Sequence, residues 1–149
     1  MAGSDLVADA SAIAKWYLRD EDLLTPADQL LADWTQEGLL LSGPGHLPYE
    51  VVHSIRRARL RGRLDDDAAE RAIANFARLS GDIILVSPEL ILREGELLSR
   101  TLGVSFFDAC YLQVARLEGV RLLTADAAFY RQTRSQADVL WLGDYSQIR

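Results

Sequence analysis

Five short apolar runs alternate with longer stretches of helical period, and that alternation leaves few architectures open to the chain. The runs are DLVA (5–8), LLLS (39–42), IILV (83–86), VRLLT (120–124) and DVLWL (138–142). A strand so short and apolar throughout has to bury both faces, which happens in a parallel sheet covered by helices on either side. The intervening segments supply those helices. SAIAKWYL (11–18) follows the first run. A second helix is expected to start at Thr25-Pro26-Ala27-Asp28, with Thr25 as cap, to carry Leu30, Leu31 and Trp34 on one side, and to stop near Gly38. After a loop at GPGH, a helix from Pro48 to about Gly62 places Val51, Val52 and Ile55 on one face and Glu50, His53, Ser54 and Arg57 on the other. DDDAAERAIANFARL (65–79), PELILREGELLSRTLG (88–103), SFFDACYLQVARLEG capped by Ser105, and DAAFYRQ (126–132) complete the series. The expected fold is α/β: a central parallel sheet of about five strands between layers of helices, in one domain spanning residues 1–149.

In such a sheet ligands gather at the carboxyl ends of the strands, where the strand order reverses. Two aspartates lie at those ends: Asp9 just past the first run and Asp126 just past the fourth. Each also precedes a helix, so each has a second reading as a helix cap. Asp108 belongs to a helix that is apolar nearly all round, with Phe106, Phe107, Cys110, Leu112, Val114, Ala115 and Leu117 covering most directions. A helix of that kind is expected inside the domain. There a carboxylate requires a counter-charge or a metal, unless a capping box with Ser105 accounts for it. Glu50 stands on the polar side of its helix, where a surface Glu is the ordinary occupant.

Composition narrows the function classes. The chain carries a net charge of −6, with a pI near 4.9, which argues against broad, charge-driven binding to nucleic acid. A local basic site remains open, and RRARLRGR (56–63) is the candidate, with Arg56 and Arg57 nearest to the Glu50 face. Arg59, Arg61 and Arg63 read as cations favoured at a helix C-terminus. Lys15 is the only lysine beside fifteen arginines, and Cys110 the only cysteine, which fits a reducing, cytoplasmic setting. No run approaches the ~20 apolar residues of a membrane helix, and the N-terminal MAGSDLVADAS lacks the pattern of a signal peptide. His46 and His53 have no partner set for zinc and read as ordinary loop and surface residues; Trp16 and Trp34 read as core.

Taken together, VADASAIAKWYL, LPYEVVHSIRRARLRG and SFFDACYLQVARLEGVRLLTAD resemble, in order and spacing, the motifs of PIN-domain proteins. The similarity is greatest to the VapC-type toxins of bacterial and archaeal toxin–antitoxin pairs. It implies a three-layer α/β/α fold and an acidic catalytic quartet of Asp9, Glu50, Asp108 and Asp126, supported by Ser11 and Thr124. One departure is Phe107, where a Tyr commonly precedes the aspartate. The resemblance further implies RNA as substrate, a cognate VapB-type antitoxin as partner, and a homodimer.

Gathering four carboxylates is costly without a cation. Two of them ~4 Å apart repel by about 4 kcal/mol at an effective dielectric near 20. An all-oxygen set without Cys or His points to magnesium, or manganese in its place. The expectation is hydrolysis of an RNA phosphodiester by metal-activated water, the metal held chiefly by Asp9, Asp108 and Asp126. Two alternatives fit the sequence less well. A phosphorylatable receiver domain also collects acids at strand ends but needs a lysine after a late strand, and Lys15 lies in the first helix. A PIN-like RNA- or protein-binding module without nuclease activity has no reason to keep four mutually repelling acids.

Overall fold

The computed structural model describes residues 3–147; Met1 and Ala2, which open the stretch read for a targeting signal, and the last two residues of the expected domain lie outside them. The strands are β1 (Leu6–Ala8), β2 (Leu41–Pro44), β3 (Ile84–Val86), β4 (Arg121–Thr124) and β5 (Val139–Trp141). All pair in parallel, in the order β3-β2-β1-β4-β5. The helices are α1 (Ala10–Ala14), α2 (Leu24–Gln36), α3 (Leu47–Leu60), α4 (Asp66–Leu79), α5 (Leu92–Leu102), α6 (Phe106–Glu118) and α7 (Ala127–Thr133). The fold is thus the three-layer α/β/α arrangement that the alternation predicts. β1 occupies the centre of the sheet, and from it the chain builds outward through β2 and β3 on one side and through β4 and β5 on the other. The order therefore reverses between β1 and β4, the place beyond the strand ends where open α/β sheets ordinarily have their ligand crevice. A receiver-type sheet runs 2-1-3-4-5, so the strand order excludes that alternative.

Burial follows the sequence pattern at the centre and departs from it at the edge. Val7, Leu41, Leu122 and Leu123 are fully enclosed, as are Ile13, Leu30, Val51, Ile55 and Leu112 on the covering helices. Trp16 and Trp34 are buried and stack with centroids 5.4 Å apart, and the Trp16 indole N–H donates to the Ala27 carbonyl at 2.9 Å. β3, an edge strand, leaves Ile84 and Leu85 exposed. No helix among the described residues is long and apolar enough to cross a membrane.

Three local expectations are corrected. β2 lies two residues later than LLLS, taking in Gly43 and Pro44, which the sequence assigns to a loop. Gly43 and Pro44 belong to the strand because they pair with Leu85 and Val86 of β3, and position 43 lacks a side chain where a Cβ would meet Leu47 Cδ1 at 2.6 Å. α2 begins at Leu24, not after a Thr25 cap; its cap position is Leu23 in the left-handed region (φ 61°), without a side-chain cap. Asp28, expected to complete that cap, instead pairs with Arg19. The helix expected over 88–103 is split into a 3-10 turn at Pro88–Leu90 and α5, since Pro88 starts a turn that Ile91 closes.

Candidate active site

Each of the four acids is delivered by a different element, and the delivery is local in origin. Asp9 follows β1 and caps α1, its Oδ1 accepting from Ala12 N at 3.1 Å. Asp126 follows β4 and caps α7, its Oδ1 accepting from Phe129 N at 3.0 Å. The cap readings of both are therefore correct, and the same geometry sets both residues at the β1/β4 reversal. Asp108 sits in the first turn of α6, and Ser105 Oγ accepts from its backbone N at 3.1 Å. Only this half of a capping box forms among the described residues. Glu50 comes from the first turn of α3.

α6 is less enclosed than its composition suggests. Ala109 through Ala115 are buried, but Phe107 and Leu117 are exposed and Asp108 is half-buried, because the helix start forms the lip of the crevice.

Ser11 and Thr124 tie the two central acids together. Ser11 Oγ donates to Asp9 Oδ1 at 2.5 Å and accepts from Ala125 N at 2.9 Å. Thr124 Oγ1 lies 3.3 Å from Ser11 Oγ and accepts from Asp126 N at 3.1 Å. The turn after β4 is thereby fixed against the turn after β1.

The electrostatics of the cluster show that the acids share one environment. Burial pushes the Asp9 carboxyl up to about 7, against the hydrogen bonds from Ser11, Thr124 and Ala12, and the Asp108 charge pushes it further. Asp108 is raised by burial and by the Asp126 charge, against the Ser105 hydroxyl. Glu50 is raised by burial, opposed by its bond from Tyr111, and raised again by the Asp108 charge. Asp108 is thus the hub whose charge reaches Asp9 and Glu50 and which in turn feels Asp126. No Arg or Lys pairs with any of the four among the described residues.

The donor set fits a hard divalent cation: oxygen ligands only, partly desolvated, mutually repelling and lacking a basic side chain. The fit is one of chemistry rather than of closed geometry, since no three His, Cys, Asp or Glu side chains among the described residues already stand close enough to hold an ion.

Two residues at this site were passed over in the sequence. His46, read as an ordinary loop residue, places Nε2 3.2 Å from the Phe107 carbonyl oxygen and 3.2 Å from Glu50 Oε1. Its ring stands edge-on to Phe107 and Tyr111, each at 5.1 Å. Because a carbonyl only accepts, Nε2 carries the proton; burial lowers the imidazole pKa and favours that neutral form. Tyr111 is buried and donates its hydroxyl to Glu50 Oε1 at 2.9 Å. The available signals were the i,i+4 spacing of His46 and Glu50, and Tyr111 one turn beyond Asp108.

Arg56 and Arg57 are exposed on α3 and make no ion pair among the described residues. Arg59 and Arg63 are engaged elsewhere: Arg59 with Asp66 at 3.1 Å, and Arg63 with Asp20 at 2.8 Å and Glu21 at 2.6 Å. Lys15 pairs with Glu21 and Asp22, away from the crevice. His53, on the surface of α3, is exposed.

A parallel sheet whose order reverses at its centre, with Asp9 and Asp126 following the two strands on either side, defines a three-layer α/β/α protein. The PIN domain profile matches residues 6–134, and the chain belongs to the PIN-domain family. In fold it is similar to PAE2754 from Pyrobaculum aerophilum, with a TM-score of 0.66 and 22 % identity over 93 % of this chain and 90 % of that one. It is also similar to VapC20 of Mycobacterium tuberculosis, a sarcin-ricin loop cleaving toxin, with a TM-score of 0.60 and 23 % identity over 85 % of this chain and 94 % of that one. No curated protein shows a significant sequence match.

Proposed function

We propose that the chain is a magnesium-dependent endoribonuclease and the toxin of a toxin–antitoxin pair. The observation that carries this reading is that Asp9 and Asp126 follow the two strands between which the sheet order reverses, while the charge of Asp108 bears on both Asp9 and Glu50. Membership of the PIN-domain family, whose members are nucleases, supports the chemistry. The likeness in fold to a toxin that cleaves RNA supports the biological role.

A bound magnesium or manganese ion supplies a water of lowered pKa and neutralises charge on the leaving oxygen. Asp9, Asp108 and Asp126 are its ligands in this reading, and Glu50 binds it directly or orients a water. Ser11 and Thr124 hold Asp9 and the turn that carries Asp126. Arg56 and Arg57 offer the local positive charge that an acidic chain needs near RNA phosphates or an antitoxin. A VapB-type antitoxin, a homodimeric state and a cytoplasmic location complete the proposal.

The test is RNA cleavage by the purified protein. Activity disappears in chelator, returns with Mg²⁺ or Mn²⁺, and falls to the uncatalysed rate in Asp9→Asn. A folded Asp9→Asn protein that cuts RNA at the wild-type rate removes the assignment.

A further inference from the structure

The two helices that carry Glu50 and Asp108 find their main packing partners elsewhere. α3 packs mainly on α1 and α4, and α6 on α5 and the sheet. Among the described residues, the hydrogen bonds that join the start of α3 to α6 are those of His46 to the Phe107 carbonyl and of Tyr111 to Glu50. The Phe107 carbonyl belongs to the residue before Asp108, so His46 bonds to the backbone of one acid's segment and lies 3.2 Å from the side chain of the other acid. Both contacts on Glu50 fall on Oε1, at 2.9 Å from Tyr111 and 3.2 Å from His46. The other oxygen, Oε2, has no protein partner among the described residues.

We infer that His46 and Tyr111 are positioning residues that clamp Glu50 through Oε1, turn Oε2 to the cation side, and set the spacing between Glu50 and Asp108. The inference rests on the metal-nuclease reading above and deepens it. Tyr111 is suited to the task because its ring is locked in the core while its hydroxyl reaches the crevice. His46 is suited because its Nε2 is bonded to the Phe107 carbonyl and lies 3.2 Å from Glu50 Oε1, so its ring stands between the two acid-bearing segments. Partners of this kind ordinarily change metal affinity by about 10–100-fold when removed.

The experiment is calorimetric titration of the full chain with Mn²⁺ at fixed pH, together with the Mn²⁺ dependence of RNA cleavage. His46→Ala and Tyr111→Phe are each expected to weaken Mn²⁺ binding by about tenfold. His46→Gln, which keeps an N–H donor, recovers most of the loss. In a Glu50→Gln background, His46→Ala causes no further weakening, because the group it positions is already altered. Wild-type Mn²⁺ affinity in both folded single variants, with the parent protein binding the ion, overturns the clamp and leaves the nuclease reading standing. A parent protein that neither binds Mn²⁺ nor cleaves RNA overturns both.

Discussion

Asp9 concentrates the conflict between stability and function. Its pKa rises from 3.8 to about 7 on folding. Between those values the folded chain holds a proton that the unfolded chain has released. The metal-free protein therefore loses stability as pH climbs through that window and levels off above it. The gap corresponds to roughly 4 kcal/mol, and Glu50 and Asp108, both raised, tilt the curve the same way. Urea unfolding in chelator from pH 4 to 8 should show this decline, and Asp9→Asn should flatten much of it. A metal-free wild type whose stability rises over that range would contradict the burial of an uncompensated carboxylate. At this scale the four acids were legible because each lies beside a recognisable seam or helix start. His46 was not, since its role depends on a carbonyl 61 positions away in sequence.

α6 is held at both ends by short-range chemistry that is readable from the chain. Ser105 caps its start, and Gly119 ends it in the left-handed region at φ 69°, which favours glycine. Ser105→Ala should cost about 1 kcal/mol in denaturant unfolding. The loss should appear with Mn²⁺ absent as well as present, because the cap serves the helix before it serves the ion. Elements whose limits depend on partners were harder to place. β2 takes in a Gly-Pro pair that normally marks a loop, because both residues pair with β3 some forty positions away, at Leu85 and Val86. α2 starts from Leu23, whose positive φ has no signature in a leucine. Helix and strand existence thus followed from period and composition, whereas boundaries followed from tertiary contacts that no local window contains.

Across the whole molecule the sheet order decides where the acids meet, and that order was only partly legible. The alternation implies a parallel sheet, but the placing of β1 between β2 and β4 comes from pairings far apart along the chain. If the crevice takes a divalent cation, the ion binds the folded form and lifts its stability. At ~1,000-fold excess over Kd the gain is about 4 kcal/mol, a rise in Tm of about 10 °C for a chain of this size. Thermal scans with and without Mn²⁺ at pH 8 should show that rise in the wild type and lose most of it in Asp126→Asn.

The central position of β1 also sets an order of events during synthesis. Ser11 must wait for Thr124 and Ala125, 113 and 114 residues later, before the turn beside Asp9 can close. The turn beside the first acid is thus completed only once β4 is in place. Such long-range closure is slow compared with forming any one helix. A nascent or truncated chain lacking β4 thus carries most of the helices and three of the four acids, yet no assembled crevice. Under the proposed reading, cleavage competence would therefore depend on β4 having joined β1.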